Sequence, residues 1–413
     1  MTDLPSTIPA GQPRWRLPRT ALQPRARFVL AAFALMGFAI GLSQNAAPAV
    51  VQDQIRDLGT TVDVLGYSIM SYSLGVVVGA PLILVGLGRV GRRPLMVWLT
   101  VAFAAMSVAT VFAPTAEALI AIRFVAGLPH GALFGIASFV AMTVLGRERR
   151  GQGVAIIMLG LTFSLIVGVP AMQWLSNAAD WRVAYGVVAL LTIVAAVAVW
   201  AFTPDVPGNK ETSTKKELRS MRSVPLWTAL IAITVGFSGL GAVFSYIVPL
   251  LEVGNGMSST AVTWVLVMWG VAMSVGAYVG GRLTDRSHLG AGRLGLVLIS
   301  ISLFGIGIGG STPFVTVPML FLLGMSSQIY SQSAQVHLMD TLHGSPSLGS
   351  ALSHAALNAA SALGAGIGAL IIGAGLSYQT PAWAALIFTS IAFVIALVGP
   401  GYRRVRTVKE LDT

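Results

Sequence analysis

Long apolar runs alternate with short polar breaks along almost the whole chain. Twelve runs are long enough to be membrane helices: 27–50, 62–87, 94–112, 116–145, 151–175 and 181–202, then 224–251, 259–283, 293–310, 314–339, 348–376 and 380–398. An α-helix rises about 1.5 Å per residue, so about 20 residues cross a hydrocarbon core about 30 Å thick. The pattern predicts an all-α membrane protein with twelve transmembrane helices. The longest polar break, PDVPGNKETSTKKELRSMRSVP, follows the sixth run and divides the chain almost in half. The predicted organisation is a basic tail over 1–26, a six-helix bundle over 27–202, a linker over 203–223, a second six-helix bundle over 224–398 and a tail over 399–413.

The halves repeat. Gly79-Ala80 near the end of the second run is followed, nine and ten residues after the glycine, by Gly88 and Arg89. Gly276-Ala277 near the end of the eighth is followed at the same offsets by Asp285 and Arg286. The shift is 276 − 79 = 197 residues, and it also carries Phe28 onto Pro225 and Gly151 onto Leu348, again at run starts. Two pseudo-symmetric six-helix bundles with a site between them near the midplane follow from such a repeat, as in secondary transporters.

Charge then fixes orientation. Only 10% of residues are charged, and the net charge is +11. That balance could suggest nucleic acid, but the basic residues sit in the tails and in alternate loops, which leaves Arg56, Arg123 and Arg182 as the exceptions. This is the positive-inside bias of a multi-pass inner-membrane protein with both termini cytoplasmic, in contact with anionic lipid and not with nucleic acid. No signal-peptide cleavage pattern precedes the first run, so the polar tail is expected to stay on the protein, and its Pro-rich, basic composition predicts disorder. Cys is absent, which excludes disulfides and thiolate metal sites.

The chemistry gathers in the fourth run. Arg123, Gly127, His130, Gly131 and Phe134 share one helix face inside a segment that should be apolar throughout. Ionisable groups at membrane depth face a protein interior or a wet cavity, so this face reads as the wall of a solute path. Arg123 has an alternative reading as a side chain snorkelling to the outer interface. His130 lies near mid-span and can exchange a proton in the physiological range; the alternative is a neutral ring bonded to a neighbouring helix. No acid stands at a comparable depth, since Asp63, Glu117, Glu252, Asp285 and Asp340 all fall near run ends. Gln44 and Asn45 reach a depth similar to Arg123, and Gln44 can accept a hydrogen bond from it without neutralising it. His354 and Asn358 share a face of the eleventh run, and Gln328, Gln332 and Gln335 form a stripe on the tenth. Both sets suit solute contact or helix–helix hydrogen bonding. Tyr72, Phe134, Phe163, Phe237, Phe244, Tyr246, Trp264 and Trp269 are candidate cavity aromatics or packing residues.

The loop GLGRVGRRPL, Gly86 to Leu95, resembles the signature loop of the major facilitator superfamily, and the likeness extends over nearly all of the chain after residue 27. GAPLIL (Gly79 to Leu84), GLPHGALFG (Gly127 to Gly135), GVP (Gly168 to Pro170) and WR (Trp181-Arg182) are similar to its drug, sugar and nucleoside efflux branch. The resemblance implies the major facilitator fold, alternating access and efflux of a drug-like or metabolite solute in exchange for protons. It implies a conformational latch at Arg89, Arg92 and Arg93, in which Gly88 stands where the family has an acid, and a second latch at Asp285 and Arg286. It also implies that Gly168 and Pro170 belong to an antiporter motif where helices touch and bend. Arg123 matches an arginine linked in the family to proton transfer or solute binding.

The expected function is therefore a monomeric secondary transporter without cofactor or metal, whose partners are a small solute, protons and the lipid bilayer. An alternative keeps the transporter but lets Arg123 attract an anionic solute without proton coupling. A membrane enzyme using His130 or His354 as general base has no nucleophile, metal cluster or phosphate loop to support it. A channel lacks a charged ring or a carbonyl-lined filter.

Overall fold

The computed structural model describes residues 23–45, 47–206, 221–309, 311–342 and 345–399, so most of both expected tails and most of the linker expected over 203–223 lie outside the described residues. The described chain is almost wholly helical. The first half contains α1 (Gln23–Asn45), α2 (Ala47–Leu58), α3 (Val62–Leu87), α4 (Arg92–Val111), α5 (Ala116–Leu145), α6 (Arg150–Phe163), α7 (Val169–Ala178) and α8 (Trp181–Phe202). The second contains α9 (Val224–Ser245), α10 (Ser259–Arg286), α11 (His288–Gly309), α12 (Pro313–Thr341), α13 (Pro346–Gly373) and α14 (Thr380–Val398). Among the described residues twelve helical spans are long and apolar enough to cross a membrane, with α6 and α7 forming one of them. The chain is thus an all-α membrane protein of the expected class.

Three boundaries differ from the hydropathy reading by five residues or more, each for a backbone reason. The first run was expected to continue to residue 50 but stops at Asn45. Pro48 has no N–H to offer the Gln44 carbonyl, so α1 ends and a separate helix, α2, starts at Ala47. The seventh run, expected to residue 251, ends as α9 at Ser245, whose carbonyl would need the N–H that Pro249 lacks. The ninth was expected to begin at 293 but starts at His288, because the Ser287 hydroxyl accepts the N–H of Gly290 at 3.1 Å and caps the helix.

The repeat seen in the sequence is also a repeat of contacts. A Cβ at Gly79 of α3 would lie 2.1 Å from the carbonyl oxygen of Leu128 in α5, and one at Gly276 of α10 would lie 2.1 Å from that of Met325 in α12. Both partners obey the same shift, since 325 − 128 = 197. Gly127 likewise meets the Tyr72 carbonyl and Gly324 the Trp269 carbonyl, again 197 residues on. Backbone-to-backbone approach through small residues is how helices associate when lipid gives no hydrophobic drive.

The bundles meet tightly on the side where α1 begins and α14 ends. A Cβ at Gly135 of α5 would be 2.4 Å from the Ser347 carbonyl of α13, and one at Gly151 of α6 would be 2.5 Å from the Gly281 carbonyl of α10. Gln335 of α12 donates from Nε2 to Ser138 Oγ of α5 at 2.9 Å and to Ser350 Oγ of α13 at 2.5 Å. Asp285 accepts from the Gly151 backbone N–H at 2.6 Å and from Gln152 Nε2 at 2.9 Å, which caps the start of α6 from the opposite bundle. Arg150 pairs with Asp340, and His288 Nδ1 lies 3.8 Å from the same carboxylate. The bonds from Gln335 to Ser138, from Gly151 and Gln152 to Asp285, and from Arg150 to Asp340 cross between bundles, while Ser350 and His288 hold Gln335 and Asp340 from within the second. With this side shut, space between the bundles is left in the other half of the membrane.

Candidate functional site

That space is a cavity of about 210 Å³. Its polar wall carries Gln44 and Asn45 from the end of α1, His130 from α5, Gln328 from α12, and His354 and Asn358 from α13. Its apolar wall includes Phe237 and Phe244 of α9 and Trp269 and Met273 of α10, faced by Met158 and Leu161 of α6. Phe244 and Trp269 have ring centroids 5.5 Å apart. Both bundles therefore contribute to one enclosure, and no Asp, Glu, Lys or Arg among the described residues lines it.

His130 is set by its own helix and by α3. Pro129 cannot donate to the carbonyl of Val125, so one rung of α5 is missing beside the histidine. The contact through Gly127 brings α3 close enough for Tyr72 Oη to reach His130 Nδ1 at 2.8 Å. The tyrosine oxygen has no other partner among the described residues, so we assign its O–H as the donor to Nδ1, which leaves the ring proton on Nε2. Neither His130 Nε2 nor His354 Nε2 has a hydrogen-bond partner among the described residues. The two rings, from opposite bundles, have centroids 5.9 Å apart. Phe134 packs against both, at 4.9 Å from His130 and 4.4 Å from His354. It is a floor beneath the pair and not part of the cavity wall.

Arg123 lies behind this pair. It is 2% exposed and its guanidinium carbon sits 4.4 Å over the Tyr72 ring. Nη1 donates to the Ser43 carbonyl at 2.7 Å and to Ser43 Oγ at 3.2 Å. Gln44, the residue expected to accept from Arg123, turns the other way and donates from Nε2 to Asn358 Oδ1 across the bundles at 3.2 Å. The reason is the end of α1, where the last carbonyls lose their helical donors and Ser43 offers one to the cation. Arg123 is thus neither snorkelling nor on the cavity wall. The ordered contacts Ser43–Arg123–Tyr72–His130 run from the rear of the bundle to the cavity.

The other expected residues divide. Gln328 borders the cavity, with Oε1 buried and without a partner among the described residues. Gln332 does not; it donates from Nε2 to the Ala277 carbonyl at 2.9 Å and ties α12 to α10. Asn45 donates to Ser164 Oγ at 3.3 Å, where α6 opens into a π-helical turn over Ser164–Gly168. Pro170 is the second residue of α7, just beyond it. At Gly168 a Cβ would be 2.6 Å from Leu42 Cδ1, and Asn45 of the same helix bonds Ser164, so α1 packs on this widened turn. Trp264 and Phe163 point outward, while Tyr246 packs over Gly368.

In the first loop Arg93 pairs with Asp205, at 3.2 Å, and donates to the Trp200 carbonyl at 3.0 Å. The carboxylate absent at Gly88 is thus supplied from the chain after α8, within one bundle. Arg92 is buried beside the Phe139 ring, and Arg89 and Arg286 are exposed. The cross-bundle partners Arg150, Asp340 and His288, and the Gln335–Ser138–Ser350 node, were not singled out as a latch from sequence. Only the polar stripe of α12 hinted at them. On the far side Arg182 pairs with Asp57 and donates to the Ala113 carbonyl, while Trp181 Nε1 donates to Asp57 at 3.1 Å. The Arg182 guanidinium hydrogen-bonded to Asp57 holds its carboxyl below the usual carboxylate range.

The Major Facilitator Superfamily profile matches residues 28–353. The inner membrane transport protein YdhP of Escherichia coli (strain K12) is 29% identical over 355 residues, covering 86% of this chain and 91% of that protein. A chloramphenicol resistance protein of Streptomyces lividans is 24% identical over 365 residues, covering 87% of this chain and 92% of its own. The solved structure of the proton:xylose symporter XylE, at 13% identity, superposes with a TM-score of 0.74 over 90% of this chain and 95% of that one, a likeness of fold. Twelve membrane helices, two bundles related by one shift, a cavity between them and a profile spanning most of the chain converge: this protein belongs to the Major Facilitator Superfamily and is a multi-pass membrane solute transporter, not an enzyme.

Proposed function

We propose that the protein exports a drug-like or small-metabolite solute in exchange for protons, by alternating access, with His130 as the group that takes up and returns the proton. It works as a monomer in the inner membrane with both termini in the cytoplasm. The observation that carries the coupling is the placement of His130. It borders the cavity, its Nδ1 is engaged by Tyr72, and its ring meets His354 of the opposite bundle. Among the described residues the cavity wall offers no carboxylate to carry a proton instead. A proton on His130 adds a cation beside the His354 ring and the buried Arg123, which disfavours the packed arrangement and couples protonation to bundle rearrangement.

Efflux is supported by the chloramphenicol resistance protein among the relatives, and the cytoplasmic placement of the termini by the loop arginines. Gln44–Asn358 spans the bundles at the cavity and would break or re-form as they rock. The monomer reading rests on a cavity completed within one chain. The anionic-solute alternative loses its motive here, because Arg123 stands behind Tyr72. A thermal-shift screen of antibiotics, sugars and nucleosides selects a solute, and proteoliposomes with an imposed pH gradient test its transport. Gradient-driven movement that responds to the size of the gradient supports the proposal; transport indifferent to the gradient rejects it.

A further inference from the structure

We propose that the cavity selects an electrically neutral solute, one with a flat apolar or aromatic body and a hydroxyl or amide N–H donor. The inference takes the cavity as the solute site, as above, but does not depend on protons being coupled.

Two observations carry it. The first is the absence of formal charge from the wall among the described residues. An ion entering a protein enclosure loses hydration and is retained only where an opposite charge or several aligned dipoles replace it. Amides, hydroxyls and rings make up the polar side here. A cation would find no carboxylate and would feel the positive charge of Arg123 behind Tyr72. An anion would find that same guanidinium screened by the Tyr72 ring and already bonded to Ser43. A proton arriving on His130 would add to the repulsion of a cation.

The second observation is an acceptor without a donor. Gln328 is 5% exposed, borders the cavity, and its Oε1 has no hydrogen-bond partner among the described residues. A buried acceptor in this state is destabilised until something donates to it. Opposite the amides stand Phe244 and Trp269, whose paired rings offer an apolar face. A solute hydroxyl or amide N–H on Gln328 with its ring against Trp269 satisfies both sides. A polar group facing an aromatic shelf is the usual division of labour in small-molecule sites.

The lack of any native cysteine permits a direct test in the full chain. Ser331 and Ser361 both line the cavity, Ser331 buried and Ser361 exposed. Ser331→Cys and Ser361→Cys proteins are treated with hydroxyethyl, sulfonatoethyl and trimethylammonioethyl methanethiosulfonate, which are similar in size and differ in charge. Each rate is divided by the same reagent's rate with a free thiol. We expect the neutral reagent to exceed both charged ones by at least about tenfold at Ser331→Cys, because each ion must be desolvated without a counter-charge. Adding Gln328→Glu should raise the cationic reagent selectively and leave the anionic one slow. Charged reagents that keep pace with the neutral one at both cysteines would overturn the proposal, as would a Gln328→Glu protein with unchanged charge preference. The assay needs no gradient, so loss of proton coupling in transport would leave its result standing.

Discussion

Gln335 is the best single place to tilt the conformational balance. Its Nε2 joins Ser138 of one bundle and Ser350 of the other, and the residue is fully buried on the closed side. Gln335→Leu keeps a similar size and removes both bonds. Only the bond to Ser138 crosses between the bundles, and a buried neutral hydrogen bond contributes about 0.5–1.5 kcal/mol net. Opening this side parts Gln335 from Ser138 and exposes Ser138 to water in wild type and variant alike, so that loss falls on the closed form, while loss of the Ser350 bond within the second bundle falls on both forms. At about 1.4 kcal/mol per factor of ten, the equilibrium should move about 2- to 12-fold toward the form closed on the far side. Spin labels at Glu117→Cys and Thr260→Cys, exposed on the far side of opposite bundles, report the change by pulsed electron–electron distance measurement. The short-distance population should grow in the Gln335→Leu protein. Distance distributions that superimpose on those of the otherwise unmodified labelled protein would refute the assignment of this node as a gate.

Three further outcomes follow from other contacts. Gly127→Ala would place a Cβ 2.2 Å from the Tyr72 carbonyl and 3.1 Å from Gly75 Cα, so α3 and α5 must separate; overpacking of this kind costs about 1–3 kcal/mol, and both the melting temperature in detergent and transport should fall, whereas no change in either contradicts the backbone contact. Asp57 has its carboxyl held below its ordinary value of 3.8, so its ion pair stabilises the fold above that pH and the contribution fades as pH falls through the lowered value; the melting-temperature gap between wild type and Asp57→Asn should be present at pH 6 and shrink below pH about 4, and a gap independent of pH contradicts this. Exchange of a neutral solute for a proton moves one positive charge inward per proton, so an inside-negative potassium diffusion potential should accelerate transport at equal pH, and a rate blind to voltage argues for a charged solute or no coupling.

Much of this was legible from residue order because a bilayer imposes few solutions. The runs 116–145, 181–202 and 380–398 became α5, α8 and α14 without adjustment, since hydropathy and helix length answer to the same membrane thickness. The shift of 197 residues placed the Tyr72–Gly127 and Trp269–Gly324 contacts in register. Proline position explains where the reading ran long, at Asn45 and Ser245, because hydropathy is blind to a missing N–H. Side-chain partnership was less accessible. The depth of Gln44 was right for Arg123, yet which neighbouring residue turned toward the cation depended on where α1 ended. Gln332 and Gln328 share one stripe in sequence but separate in the fold, one tying two helices and the other edging the cavity. The Arg93–Asp205 and Arg150–Asp340 pairs join segments 112 and 190 residues apart, a separation at which spacing carries no signal.

The central claim is that His130 couples solute movement to protons and does not merely shape the cavity. Parallel transport assays on His130→Gln proteoliposomes separate the two roles. Exchange of labelled for unlabelled solute across equal pH requires binding and rocking only, while concentrative uptake under a pH gradient requires a proton carrier. The account predicts that His130→Gln keeps exchange and loses gradient-driven accumulation; accumulation at the wild-type level in that variant would contradict it.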